Sequence, residues 1–396
     1  MKILQINSLY GIGSTGKICK GIGELLDDEG IPNVVLCFWG KKGEKGIKCS
    51  NIIYEKIQAI KSRVTGEYGF VSKYNSKRVI QFIEKYEPDI VHLHNIHDHT
   101  LDLKKFFSYL KARNIRIVWT FHDCWAFTGY CAYFTMSSCN KWRDKCDNCP
   151  IWRQYSWFND KSKSLFERKK MLFSELNLTI VTPSQWLSNL VKDSFLKKNN
   201  VQVINNGIDL SIFYPRENNF RKKYNVENKF IILGVAFAWE KRKGIDVFIK
   251  LSEMLDEDFQ IVLVGSIDKV REKLPSNIIA IQSSKNQVEL AEIYSASDLF
   301  LNPSKEDNFP TVNLEALACG TPILTYDTGG CSECIDPECG IVVEYNDFQS
   351  VFESVLKIKN EYIFSRDVCR KKAHQFNQKE KYKEYVKLYK ELFYGR

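Results

Sequence analysis

The feature that most constrains the fold is a repeated alternation of short apolar segments with helix-like ones. Segments such as "MKILQIN", "PDIVHLHN", "IRIVWTFHD" and "NLTIVTPS" each contain a short, mainly apolar run. Such runs are typical of strands buried on both faces of a parallel sheet. Helical stretches such as "SQWLSNLVKDSFLKK" lie between them. This order predicts an α/β fold with a doubly wound sheet.

The pattern starts again after an Asn-rich, charged stretch around 205–228, with "KFIILGVAFAW" and "FQIVLVGS" as the next strands. A chain of 396 residues is also long enough for two domains of about 150–200 residues each. We therefore expect a Rossmann-like domain over 1–204, a second over 205–378, and a final helix over 379–396 packed on the first. Ligands bind beyond the carboxyl ends of the strands in such sheets, so a cleft between the domains is the expected site.

Composition narrows the class of protein. The chain is 44% hydrophobic and 27% charged, which is typical of a soluble globular protein. No apolar run approaches the roughly 18 residues of a spanning helix, and the first residues do not resemble a signal peptide. We expect a cytoplasmic protein. The net charge of +9 suits phosphate-bearing ligands, nucleic acid or an anionic membrane surface, without choosing among them.

An acidic loop precedes a helix in "NPSKEDNFPTVNLEALACG", residues 302–320. The helix N-terminus offers free N–H groups and a positive dipole end, which suit a phosphate. Glu315, one turn inside the helix, could accept two hydrogen bonds from a ribose diol, while Glu306 or Asp307 could bind sugar hydroxyls. The same acids could simply cap the helix, so the pattern alone leaves both interpretations open.

The longer segment "NPSKEDNFPTVNLEALACGTPILTYDTGGCSE" resembles the donor-sugar motif of the retaining glycosyltransferases of family 4. Those enzymes have the GT-B fold of two facing Rossmann-like domains and carry two acids separated by seven residues. Asp307 and Glu315 fit that spacing, with Asp where Glu is usual, and the adjacent Glu306 could take over its role. The resemblance implies that Glu315 holds the ribose. It also implies a backbone that follows the sugar and pyrophosphate, formed by Asn308, Phe309, Pro310 and Thr311.

A basic pair in "AWEKRKGIDVF" extends the resemblance. Lys243, before Gly244, matches the lysine that neutralises the donor diphosphate in this family. The family's arginine lies about five residues upstream, where this chain has Ala238, so Arg242 is the expected substitute. A departing nucleoside diphosphate gains negative charge, which fixed cations stabilise. A solvated Lys/Arg run is the alternative.

The glycine loop "YGIGSTGKI" follows the first strand. It matches neither the dinucleotide fingerprint nor the P-loop pattern. The resemblance implies that it lies over the donor phosphates and lines the acceptor side. The residues concerned are Gly13, Ser14, Thr15 and Gly16.

Histidines follow two strands, in "HLHNIHDH" and "TFHDCWAFTG". His122 stands where the resembled family places a histidine that hydrogen-bonds the donor sugar. His97 and Asp98 are weaker candidates for the acceptor side. His92 and His94 alternate within a strand and could simply be satisfied core groups.

Cysteines cluster in an insert over 124–160, in "CAYFTMSSCNKWRDKCDNCP". Cys131, Cys139, Cys146 and Cys149 could bind a structural zinc ion, or remain free or buried thiols. A similar insert recurs in family members that act on cell-surface polysaccharides.

These observations predict a retaining hexosyl- or N-acetylhexosaminyltransferase. The donor would be a UDP- or GDP-linked sugar, and the acceptor a hydroxyl of a glycan, lipid-linked, in bacterial O-antigen or capsule synthesis. No catalytic divalent metal is expected, because no Asp-x-Asp motif precedes a suitable loop and the basic pair supplies charge. The helix "LDLKKFFSYLKARN" could rest Phe106, Phe107 and Tyr109 on anionic lipid at the inner face of the cytoplasmic membrane, or pack as an ordinary amphipathic helix.

Two other functions compete with this prediction. A nucleotide-sugar 2-epimerase shares the two-domain architecture, but acidic and basic groups for the sugar C2 are not evident. A nucleic-acid-binding protein could use the cysteine insert as a zinc module, which would leave the two α/β domains and the Glu315 loop unexplained. We therefore expect no nucleic-acid partner.

Overall fold

The structure is a computed structural model that describes residues 1–39, 46–97, 99–361 and 363–395. It divides into two compact units. The first comprises Met1–Asn205 and the chain from Lys381 onward, and the second comprises Asn206–Glu380. Each unit is built on a parallel sheet with helices between its strands, so the predicted α/β architecture of two Rossmann-like domains is confirmed.

Within the described residues, the first unit has a seven-stranded parallel sheet in the order β3-β2-β1-β4-β5-β6-β7. Its strands are β1 (Ile3–Leu9), β2 (Asn33–Trp39), β3 (Gly46–Lys48), β4 (Ile90–Leu93), β5 (Arg116–Thr120), β6 (Leu178–Thr182) and β7 (Asn200–Val203). Its helices are α1 (Gly13–Asp28), α2 (Ile52–Thr65), α3 (Lys73–Tyr86), α4 (Leu103–Ala112), α5 (Ser162–Ser174) and α6 (Gln185–Asp193).

The second unit has a six-stranded parallel sheet among its described residues, in the order β10-β9-β8-β11-β12-β13. Its strands are β8 (Phe230–Ala238), β9 (Phe259–Ser266), β10 (Ile278–Ile281), β11 (Leu299–Asn302), β12 (Ile323–Tyr326) and β13 (Gly340–Val343). Its helices are α7 (Phe220–Lys223), α8 (Ile245–Met254), α9 (Gln287–Ala296), α10 (Thr311–Ala318), α11 (Phe348–Glu361) and α12 (Arg366–His374).

Each sheet has one point where the strand order reverses. In the first unit it falls between β1 and β4, and in the second between β8 and β11. Loops that leave the carboxyl ends of these paired strands diverge and open a crevice, which is where open α/β sheets bind ligands. The glycine loop follows β1, and the acidic loop follows β11, so both lie at such a point.

The last helix, α13 (Gln378–Tyr394), completes the core of the first unit. Tyr382, Tyr385 and Tyr389 are buried in one cluster with Ile18 and Ile22 of α1. The close contact explains why α1 carries glycine at 21: a Cβ there would lie 2.4 Å from Cε2 of Tyr382. The aromatic positions of this helix are therefore core residues.

Helix α4 does not offer its aromatic residues to a lipid surface. Phe106 and Phe107 are fully buried, and Tyr109 is partly buried, while Lys104 and Lys105 are exposed. The proposed lipid contact of these two phenylalanines is therefore wrong, because they fill the core of the first unit. None of the helices in the described part of the chain is long and apolar enough to cross a membrane.

Candidate functional site

The acidic loop, residues 303–310, joins β11 to α10 and is fixed by buried side-chain amides. Nδ2 of Asn302 donates to Oδ1 of Asn313 at 2.8 Å, and the Ser304 hydroxyl donates to Oδ1 of Asn302 at 2.7 Å. Nδ2 of Asn313 in turn donates to the Cys331 carbonyl at 3.0 Å. Because buried amides are costly to leave unpaired, these bonds tie the loop to α10 and to the segment after β12.

Lys243 and Asp307 form an ion pair between the loops that follow β8 and β11. Both side chains are partly buried. The other carboxylate oxygen, Oδ1 of Asp307, accepts from the backbone N–H of Asn308 at 2.9 Å. The structure thus brings two of the predicted residues, 64 positions apart, into direct contact at the reversal point of the sheet.

Arg242 lies beside the same loop. Its Nη1 donates to the Glu306 carbonyl at 3.0 Å, and its Nε lies 3.2 Å from Oε1 of Glu240. The Arg242 carbonyl accepts from the Lys305 N–H at 2.8 Å, and Lys305 pairs with Asp246 at the start of α8. This guanidinium therefore positions the loop backbone, a contact that the sequence did not indicate.

Two glycines let other segments approach this loop closely. Gly244, at φ +73°, lies under Pro303, where a Cβ would come within 2.3 Å of the carbonyl oxygen. Gly329, at φ +61°, lies against Asp307, where a Cβ would come within 1.8 Å of the carbonyl oxygen. Sequence reasoning assigned no role to Gly329, although a glycine pair in the loop after a buried strand could have indicated a close backbone approach.

Glu315 is buried on α10, and Oε2 of its side chain accepts from the Tyr294 hydroxyl at 3.1 Å. Burial, together with the charge of Glu315, raises the pKa of Tyr294 well above its ordinary value. The phenol therefore stays protonated and acts as a donor that orients the carboxylate. Tyr294 lies in the last turn of α9, and no local sequence pattern links it to the acid.

Helix α10 begins without a side-chain cap at its N-cap residue, Pro310. The first N–H groups of a helix have no intrahelical partner. An uncapped N-terminus next to Asp307 and Lys243 is suited to a phosphate flanked by polar groups. Of the predicted backbone segment, Asn308 and Phe309 precede this terminus, and Thr311 is its first helical residue.

In the first unit, the glycine loop forms the start of α1. Gly13 has φ +67°, and Gly16 is so close to the preceding turn that a Cβ would lie 3.2 Å from the Gly11 nitrogen. Nδ2 of Asn7 donates to Oγ1 of Thr15 at 3.3 Å, while Ser14 is exposed. The four predicted residues of this loop are therefore adjacent at the carboxyl end of β1.

His122 is held by a chain of hydrogen bonds that begins at Gln5. Nε2 of Gln5 donates to the Cys19 carbonyl at 3.1 Å, so its Oε1 accepts from Nε2 of His94 at 3.2 Å. Nδ1 of His94 must then accept from Nε2 of His122, 3.1 Å away. Burial lowers the pKa of His122 to about 4 and holds that of His94 well below its ordinary value. His122 is thus a neutral imidazole protonated at Nε2.

The remaining histidines differ in role. His92 contacts the Tyr389 hydroxyl at 2.6 Å and Oγ1 of Thr120 at 2.8 Å, which confirms it as a satisfied core group. Nε2 of His97 lies 3.2 Å from Oδ2 of Asp123. Asp98 lies outside the described residues.

These buried histidines predict that acid destabilises the protein. Burial lowers the pKa of His92 from 6.5 to about 3, so the unfolded chain takes up protons before the folded one does. The free energy of unfolding should be at its full value above about pH 6.5 and fall as the pH is lowered toward 4. Urea unfolding at a series of pH values measures this slope.

A histidine substitution checks the origin of that slope. His94→Gln should make it shallower by up to about 1.36 kcal/mol per pH unit, the value for one proton. His374→Gln, at an exposed position, is the matched control and should keep the wild-type slope. An unchanged slope in His94→Gln would contradict the assignment.

The four insert cysteines line one small cavity of about 10 Å³. The Gly129 N–H donates to Sγ of Cys146 at 3.3 Å, and burial raises the pKa of Cys146 to about 12. Within the part of the chain that the structure describes, no three His, Cys, Asp or Glu side chains are arranged to hold a metal ion. The zinc ion bound by these four cysteines therefore stays a prediction of the sequence.

Comparison with family models covers nearly the whole chain. Residues 20–212 match a model described as "Glycosyltransferase Family 4", and residues 215–381 match one described as "Glycosyl transferases group 1". The acidic loop, Lys243 and Glu315 lie within the second match, and His122 lies within the first.

Relatives and solved structures agree with these matches. A putative colanic acid biosynthesis glycosyl transferase, WcaC of Escherichia coli, is 22% identical over 366 residues, 87% of each chain. N,N'-diacetylbacillosaminyl-diphospho-undecaprenol alpha-1,3-N-acetylgalactosaminyltransferase of Campylobacter jejuni is 34% identical over 35% of this chain and 40% of its own.

Two solved structures align over almost their full lengths. Sucrose-phosphate synthase from Thermosynechococcus elongatus has a TM-score of 0.75 at 17% identity, with 100% of both chains covered. Anabaena Alr3699/HepE in complex with UDP-glucose has a TM-score of 0.70 at 14% identity, with 98% of this chain and 99% of that chain covered. At these identities the likeness shows the fold.

Proposed function

The chain is a GT-B glycosyltransferase of family 4, and on that premise we propose that it moves a sugar from a nucleoside-diphosphate sugar to a glycan hydroxyl, with retention of the anomeric configuration. The sugar is a hexosyl or N-acetylhexosaminyl group, and the nucleotide is UDP or GDP. The domain over 205–378 binds the donor, and the domain over 1–204 binds the acceptor.

The observation that carries this proposal is the meeting of Lys243, Asp307 and the uncapped N-terminus of α10 at the reversal point of one sheet. A cation and free N–H groups together suit the two phosphates of a donor. Glu315, one turn further along α10, is oriented by Tyr294 to accept hydrogen bonds from a ribose diol. A solved UDP-glucose complex of a protein with this fold supports a sugar nucleotide as ligand.

Each predicted residue then has a role in the transfer. Lys243 stabilises the negative charge that gathers on the departing diphosphate, and Arg242 holds the loop beside it. Asp307 positions the donor sugar, with Glu306 next to it, and His122 accepts a hydrogen bond from a sugar hydroxyl at its unprotonated Nδ1. Gly13, Ser14, Thr15 and Gly16 lie over the phosphates.

Retention needs no enzyme nucleophile in this proposal. The bond between the anomeric carbon and the phosphate oxygen breaks, and the acceptor oxygen bonds to the same face of the sugar. The departing phosphate oxygen takes the acceptor's proton, so charge and atoms balance. Asp307 therefore acts through geometry rather than by forming a covalent intermediate.

The acceptor is proposed to be a lipid-linked oligosaccharide of a bacterial surface polysaccharide, reached at the inner face of the cytoplasmic membrane. Support comes from the relatives, whose names include colanic acid biosynthesis and an undecaprenol-linked acceptor. A structural zinc ion bound by Cys131, Cys139, Cys146 and Cys149 remains part of the proposal, and metal analysis of the purified full chain tests it.

Incubation of the protein with a panel of UDP- and GDP-linked sugars and membrane lipid extract tests the function. We expect one donor to release its nucleotide together with a glycosylated lipid of the same anomeric configuration. Conversion of a donor to its 2-epimer without transfer would support the epimerase instead. If the protein binds a nucleotide but turns over none of the donors, the proposed class of acceptor is wrong.

A further inference from the structure

Helix α2 of the first unit presents its apolar side to solvent. Ile53, Ile57, Ile60 and Val64 are 69%, 54%, 56% and 41% exposed. They recur at intervals of four, three and four residues, so they form one stripe along the helix. We call these four residues the α2 stripe.

The opposite face of the helix is polar and buried. Glu55 is fully buried, and its Oε1 accepts from Nδ2 of Asn75 at 2.7 Å. Gln58 and Ser62, one and two turns further on, are buried as well. The Asn51 side chain caps the helix by accepting from the Tyr54 N–H at 2.8 Å. Turning the stripe inward would break these buried contacts, so the helix is fixed with its apolar side outward.

Exposed aromatic side chains adjoin the α2 stripe. The Arg63 carbonyl accepts from the Trp157 N–H at 2.8 Å, which places Trp157 and Phe158 at the carboxyl end of the helix. Both side chains are more than half exposed. The ring of Tyr74, also exposed, lies 5.2 Å from that of Tyr54 in α2. Exposed aromatic residues therefore lie near both ends of the helix.

The charges that flank the stripe are basic. Lys56, Lys61 and Arg63 are exposed on α2. Within Ile52–Thr65, all of which the structure describes, Glu55 is the one acid, and it faces the interior. Exposed apolar residues flanked by lysine and arginine are the pattern of a helix that lies in the surface of an anionic bilayer. Tryptophan and tyrosine prefer the same interfacial depth.

We propose that the α2 stripe, with Trp157 and Phe158, docks the protein on an anionic lipid bilayer. The stripe enters the boundary of the acyl chains, and Lys56, Lys61 and Arg63 contact lipid phosphates. A second copy of the chain fits this surface less well, because a two-fold contact would set these three cations against their own counterparts. The functional reason for docking on a bilayer rests on the proposed lipid-linked acceptor. Binding of the protein to the bilayer does not itself require the donor.

Vesicle flotation of the full chain tests the docking. We expect binding to vesicles of phosphatidylglycerol and phosphatidylcholine, with weaker binding to phosphatidylcholine alone. Ile57→Ser/Ile60→Ser should reduce partitioning by about tenfold or more, since each isoleucine loses its transfer to hydrocarbon. Lys56→Gln/Lys61→Gln should weaken binding to the anionic vesicles only, and added salt should reduce its difference from wild type.

Control variants distinguish a failure of the docking proposal from a failure of the proposed transferase function. Met171→Ser replaces an exposed apolar residue on α5 of the same unit and should float as wild type. Ile57→Ser/Ile60→Ser should bind nucleotide as the wild-type protein does. The vesicle experiment and the nucleotide-binding experiment can therefore fail independently of each other. Wild-type protein that does not bind anionic vesicles would overturn the proposal. A solution dimer that Ile57→Ser/Ile60→Ser converts to a monomer would also overturn it, and would assign the stripe to a second copy.

Discussion

Lys243→Ala should lower kcat by about 10²–10³-fold, the loss seen when one group that stabilises transition-state charge is removed. The physical reason is the contact of Lys243 with Asp307, which shortly precedes the N-terminus of α10, where the departing diphosphate is proposed to lie. Donor KM should change less than kcat, because the charge grows as the bond breaks. Steady-state kinetics with the identified donor measures both.

The neighbouring Lys241→Ala is the matched control, because Lys241 is exposed in the same short turn. It should keep wild-type turnover. If Lys243 acted only by holding Asp307, the double variant Lys243→Ala/Asp307→Ala would be no slower than Asp307→Ala. We expect the double variant to be slower than Asp307→Ala. If Lys243→Ala and Lys241→Ala had equal turnover, the proposed role of Lys243 would be contradicted.

Gly329→Ala should reduce turnover by about 100-fold by moving the acidic loop. The new Cβ would lie 1.8 Å from the Asp307 carbonyl oxygen, so the Asp307 backbone must shift. Displacement of a positioning group by about 1 Å can cost about 10²-fold in rate. Kinetics together with thermal unfolding measures the effect on turnover and on folding separately.

Gly30→Ala is the control for backbone strain. Gly30 has φ +66°, close to the +61° of Gly329, but a Cβ there would meet nothing within 4 Å. In both variants the alanine must adopt the left-handed backbone conformation, which costs a non-glycine residue about 1–2 kcal/mol. Gly30→Ala should therefore lose some stability and no activity. Wild-type turnover in Gly329→Ala would show that the position of Asp307 does not matter.

The sequence was sufficient for the architecture. Strands such as β1 and β9 are mainly apolar and buried over nearly their whole length, which is typical of a parallel sheet covered on both faces. The restart of the pattern after the stretch around 205–228 predicted two domains, and both predictions hold because they depend on local composition and spacing. The GT-B family, in contrast, was implied by the resemblance of the segment around Glu315.

Two helices show that hydrophobic periodicity does not predict whether an apolar helix face points to the core or to solvent. Both α2 and α4 have an apolar stripe, and for α4 the sequence left open contact with lipid or ordinary packing on the sheet. The structure buries Phe106 and Phe107 of α4 and exposes Ile53 and Ile57 of α2. A stripe indicates that one face is apolar, whereas the direction in which it points depends on distant contacts such as Glu55 with Asn75.

Contacts across long sequence separations account for the rest of the candidate site. Lys243 and Asp307, or Arg242 and the Glu306 carbonyl, are 64 residues apart, so no local pattern joins them. The chain from Gln5 through His94 to His122 likewise unites three strands. The sequence allowed His94 to be a core group, but only the hydrogen-bond partners reveal that it sets the tautomer of His122.

Calorimetric titration of UDP and GDP tests the central claim most directly, that the second unit binds a nucleoside diphosphate through Glu315. We predict that wild-type protein binds one of the two nucleotides and that Glu315→Gln weakens it by about 1–3 kcal/mol, the cost of a charged hydrogen bond. Glu253→Gln, at an exposed position on α8, should bind as wild type. No binding of either nucleotide to wild-type protein, or equal affinity in Glu315→Gln, would contradict the account.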